Sequence, residues 1–122
     1  MTTDAAAATH VRWSDLAGDA PMPLMQRRRL IGQRMMVSHL ILRRGFRIDR
    51  HCHDNEQISC VLSGRFRFEL GTRGERILEI GPGEALLLPG GCPHAGVALE
   101  ETEVLDLFSP PSATTGVDAK QK

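Results

Sequence analysis

The 122-residue chain reads as an all-β domain, either a sandwich or a closed barrel. Three observations predict this. The apolar runs are short, and each is ended by a turn carrying glycine or proline. Residues 65–70 alternate charged side chains with Phe66, Phe68 and Leu70, the period of a half-buried strand. No stretch holds a sustained helical period. Periodicity of this kind assigns strands and leaves their order open.

In chain order, residues 1–20 are rich in Ala, Asp and Thr and read as a flexible leader that gains order near Trp13 and Leu16. Pro21 and Pro23 exclude a helix where the folded domain, residues 21–111, begins. The basic run Arg27, Arg28, Arg29 passes straight into Leu30 and Ile31, as a solvated strand edge does. Strands are expected at residues 35–42, 57–62, 65–70, 75–80, 84–88, 97–99 and 104–108, with turns at Gly45, Gly64, Gly71, Gly81 and Gly90 between them. Pro110 and Pro111 end the ordered body, and the polar residues 112–122 read as a disordered tail.

The formal charge is zero, so no net field draws nucleic acid or a membrane surface to the chain. The first fifty residues carry nine Arg against four Asp, and the rest carry the opposite balance, which places basic early strands beside acidic late ones. Cys52, Cys60 and Cys92 make an odd set with no pairing pattern, which suits a reducing compartment. With no secretion signal and no run of membrane-spanning length, the expected location is the cytoplasm.

Of five histidines, His51 and His53 stand two apart. On a strand, that spacing turns both imidazoles to one side and Cys52 to the other. Gln57 follows at an even step, and His94 is aimed by a stiff Pro-Gly-Gly-Cys-Pro stretch. Neutral imidazoles suit Zn, Cu, Fe and Ni, and an amide oxygen adds a fourth donor without charge.

The glycines and prolines framing these residues resemble the two motifs of the cupin superfamily. Gly45, His51, His53, Gln57 and Gly64 meet every spacing of the first motif. Gly83, Pro89, Gly91 and His94 meet the second until Ala98 replaces its final Asn. The resemblance, from about residue 35 to 108, implies a double-stranded β-helix barrel of two antiparallel sheets. It also implies one divalent transition metal (Zn, Ni, Fe or Mn) on His51, His53, Gln57 and His94, and a homodimer formed through residues 20–40. Glu56 is one residue short of the ligand spacing. The late Leu-Asp-Leu-Phe-Ser-Pro-Pro stretch further resembles the pectin-degradation cupins, which act on unsaturated uronates and pair the metal with a late Asp, an aromatic residue and an Arg. Asp106 and Phe108 match that pattern, and Ser112 stands where the Arg would be, removing a bidentate clamp for a substrate carboxylate.

Asp106 shares a strand face with Val104 and Phe108, which makes it the candidate general acid or base and Phe108 a candidate substrate contact. His39, in an apolar run, reads as a satisfied core or interface residue, and Cys92 as packing. The function that follows is a Lewis-acid enzyme carrying out isomerisation, elimination or ring opening on a small carboxylated or sugar-derived molecule. A non-haem iron dioxygenase and a non-catalytic small-molecule binder are the alternatives.

Overall fold

Alternation of buried and open side chains runs through the central strands, and it builds the barrel. In the computed structural model, which describes residues 7–111, strand β3 (Met36–Leu42) points Met36, Ser38, Leu40 and Leu42 inward, and β6 (Phe66–Leu70) does the same with Phe66, Phe68 and Leu70. The other strands are β1 (Gly18–Asp19), β2 (Met25–Ile31), β4 (Arg47–His51), β5 (Glu56–Ser63), β7 (Arg76–Ile80), β8 (Ala85–Leu88), β9 (His94–Ala98) and β10 (Thr102–Ser109). They form two antiparallel sheets, ordered β1-β2-β3-β10-β5-β8 and β4-β9-β6-β7. The inner faces enclose a core that includes Leu40, Phe46, Val61, Phe66, Phe68, Leu88 and Val104. The all-β expectation holds, and the arrangement is the two-sheet barrel. Among the described residues no helix is long and apolar enough to cross a membrane.

Tertiary context alters several sequence expectations. The sheet begins within residues 1–20, because Gly18 and Asp19 pair with Arg28 and Arg27 of β2, and Trp13–Asp15 form a 3-10 turn before it. The tail from 112 to 122 lies outside the described residues. The basic run is not a solvated edge throughout: Arg27 is only 5% exposed and lines the barrel interior. Its Nε and Nη2 donate to the two carboxylate oxygens of Asp19 at 3.0 and 2.7 Å. Such a bidentate bond offsets part of the cost of burying the guanidinium. Basic early and acidic late segments do meet, through Arg43 with Glu101 and through Arg47 and Arg50 with Glu69.

The Arg27 guanidinium holds the Asp19 carboxyl below its usual value. A depressed folded-state pKa contributes stability above the unfolded value, near 3.8, and that contribution is lost as the pH falls through the folded value. We therefore expect Asp19→Asn to lower the melting temperature at pH 7, and the gap from the parent to close as the pH is taken below that value. A gap that persists unchanged in acid would rule out the ion pair as its source.

Candidate metal centre

Two loops rather than one strand bring the histidines together. His51 is the last residue of β4 and lies opposite His94, the first residue of β9. His53 lies beyond the strand, so the period-two argument covers only His51. What turns His53 inward is the bend after it, where the Asn55 side chain donates to the Pro110 carbonyl. The second motif closes on the first: Gly91 N–H donates to the His53 carbonyl at 2.8 Å, and a Cβ at Gly90 would collide with the carbonyl of Asp54. Glycine at position 90 is therefore a packing requirement of the site.

The three imidazoles share one pattern. Nδ1 of His51 donates to the carbonyl of Asp49 at 2.8 Å, that of His94 to Cys92 at 2.8 Å, and that of His53 to Asn55 at 3.1 Å. A carbonyl can only accept, so each Nδ1 carries hydrogen and each neutral ring keeps its lone pair on Nε2. One ring nitrogen from each histidine lies within 4.8 Å of the others. Burial pushes the His94 imidazole down to about 4 and lowers that of His51, which favours the neutral rings that metal ligands require. Among the described residues His51 Nε2 is buried with no hydrogen-bond partner.

Gln57, 5% exposed, sits on the inner face of β5, and its neighbour Glu56 faces solvent. The parity of the strand thus excludes Glu56 and admits Gln57. Gln57 Oε1 is 3.1 Å from His53 Nε2. With hydrogen on Nδ1, these are two acceptors face to face, an arrangement relieved by a cation between them or by a turn of the amide that brings its NH2 to His53. Four convergent acceptors, one an orphan, fit a divalent cation.

Beyond Gln57 runs a chain of hydrogen bonds: its Nε2 donates to Ser59 Oγ at 3.0 Å, and Ser59 Oγ donates to Asp106 Oδ1 at 2.5 Å. Asp106 lines the barrel cavity with Phe108 and Val104. Burial pushes its carboxyl up to about 6, against the opposing pull of the hydrogen bonds from Ser59 and Gln57. Phe108 presents its ring to His53 edge-on at 5.8 Å. The cavity measures about 60 Å³, enough for a few water-sized groups at roughly 10–15 Å³ each. Sequence reasoning missed Ser59 and Arg27 as cavity residues. The even step from Gln57 was a signal for Ser59, and the spacing Met25, Arg27 was one for Arg27.

His39 is elsewhere, on the outer face, with Nε2 2.6 Å from Glu103 and Trp13 stacked on it. Cys92 packs against the core.

A family model described as "Cupin domain" matches residues 38–108. The chain is similar to KdgF from a Halomonas species, with 28% sequence identity, 88% of this chain and 97% of that chain covered, and a TM-score of 0.79. It shares the fold of an RmlC-like cupin from Shewanella frigidimarina, at 18% identity, 88% and 95% coverage and a TM-score of 0.79. The same holds for oxalate decarboxylase from Bacillus subtilis, a protein with Mn(II) centres, at 19% identity and a TM-score of 0.74, with 93% of this chain and 34% of that one covered. No curated protein sequence matches the chain.

Proposed function

This chain belongs to the cupin domain family, and on that premise we propose that it is a metal-dependent enzyme acting on a small carboxylated or sugar-derived molecule by isomerisation, elimination or ring opening. His51, His53, Gln57 and His94 hold one divalent transition metal. The observation that carries the reading is the convergence of three imidazoles whose Nδ1 atoms are all committed to backbone carbonyls, with the His51 Nε2 left buried and without a partner among the described residues. A bound divalent ion would supply Lewis acidity at a carbonyl or carboxylate oxygen, undiluted by ligand charge because all four donors are neutral.

The chain's own residues do the rest. Asp106 faces the same cavity and moves a proton to or from the substrate, returning to its hydrogen bond with Ser59. Phe108, beside His53, provides an apolar wall against which a ring or a planar group rests. Val104, Val61 and Phe68 close the cavity wall and exclude water from one side of the reacting group. The late-strand resemblance to pectin-degradation cupins points to unsaturated uronates as the first substrates to assay.

Elemental analysis of purified protein beside the His51→Ala/His94→Ala double variant tests the site. About one equivalent of metal in the parent and none in the variant is expected, since removing two of four donors leaves too few to hold the ion. A parent that stays metal-free after reloading with zinc, nickel, iron and manganese would overturn the reading.

A further inference from the structure

We infer that Ser59 is a positioning residue, which holds the Gln57 amide with its oxygen, not its nitrogen, towards the three imidazoles. The inference rests on the reading of Gln57 as a ligand. An amide can present either end to a site, because oxygen and nitrogen are almost the same size. Here the choice is made from Asp106 outwards. Asp106 Oδ1 accepts the only proton that Ser59 Oγ has, whether or not the other carboxyl oxygen is protonated. Ser59 is left with lone pairs facing Gln57, which only the amide NH2 can satisfy, and that bond is 3.0 Å. The oxygen is thereby turned to the histidines.

Without the hydroxyl the NH2 end loses one of its two acceptors, Asp106 being the other, and the hold on the direction of the amide weakens. A flipped amide could donate to His53 Nε2, now 3.1 Å from Oε1, and an incoming cation would meet an NH2 group. The bonds to Ser59 and Asp106 thus pre-organise the fourth donor before any cation arrives. Burial makes the bond count: Ser59 is 1% and Gln57 5% exposed, so bulk solvent does not compete for the amide. The strand register supplies the geometry, since Ser59 shares the inner face of β5 with Gln57 and lies opposite Asp106 on β10. The same chain explains an amide rather than a carboxylate at position 57. A Glu there would confront Asp106 across one serine proton, which cannot serve both.

The test is Co(II) titration against a competing chelator, reading Kd and the visible absorption of the bound ion. The proteins are the parent, Ser59→Ala, Ser59→Thr, Gln57→Ala and the Ser59→Ala/Gln57→Ala double variant, each checked for folding by circular dichroism. Ser59→Ala should weaken Co(II) binding about 10- to 100-fold and shift the spectrum, and Ser59→Thr should restore both. In the Gln57→Ala background the same change should alter Kd by less than about twofold, because the amide it positions is gone. Parent-like affinity and spectrum in Ser59→Ala, or an undiminished effect without Gln57, would overturn the assignment and leave the metal site standing. A parent that binds no Co(II) would end both.

Discussion

Asp106→Asn should cut turnover of an unsaturated uronate, or of another enolisable acid found to be a substrate, by about 10²- to 10⁴-fold, the usual contribution of a positioned proton-transfer group. Metal content should stay at the parent's level. The asparagine Oδ1 can still accept from Ser59, so the chain that orients Gln57 survives while the carboxyl that exchanges a proton is lost. Assays with the metal content of both proteins measured in parallel separate the two roles. Undiminished turnover would remove Asp106 from the mechanism. Loss of metal together with activity would assign it to holding the site and not to chemistry.

The second large effect is on stability. Gly64→Ala should cost roughly 3–5 kcal/mol, combining a left-handed backbone with a steric collision. Gly64 has φ +87°, and a Cβ there would run into the Glu101 carbonyl and the Thr102 backbone. Thr102 cannot give way. It is fully buried, and its Oγ1 donates at 2.8 Å to the Glu100 carbonyl and accepts from Arg65 N–H at 3.2 Å. At about 4 °C or more per kcal/mol for a domain of this size, the melting temperature should fall by at least roughly 12 °C. A fall of only a degree or two would show that the neighbouring β10 start can shift at little cost. In either case the glycine acts at the far end of β5 from Gln57, so its effect is on the barrel and not on the ligand set.

How much of this was legible beforehand depended on how local the cause was. The turns and the alternation of residues 65–70 follow from backbone sterics and a two-residue period, so the seven expected strands lie within a few residues of their observed limits, whereas β1 and β4 were not among them and β2 was read only as a strand edge. Glu56 and Gln57 were told apart by the spacing of the motif, and the structure supplies the reason, because adjacent strand residues face opposite ways. His51, His53 and His94 could be grouped from spacing and from the glycines and prolines around them. Their convergence, however, uses a bend and a contact between two loops that no period describes.

The barrel was implied only by the resemblance of the two motifs to the cupins; taken alone, the amino-acid sequence determined that this chain is all-β and which side chains offer neutral donors. These properties are written in neighbouring residues, and short-range sterics and side-chain chemistry are enough to read them. Only the tertiary structure decided that Arg27 is buried, because that depends on β1 bringing Asp19 against it. Only the pairing of β5 with β10 set Ser59 against Asp106, 47 positions apart in the chain. The direction of the Gln57 amide follows from that pairing, since a hydrogen-bond chain takes its polarity from its terminal acceptor, and the terminal acceptor here is supplied by a distant strand.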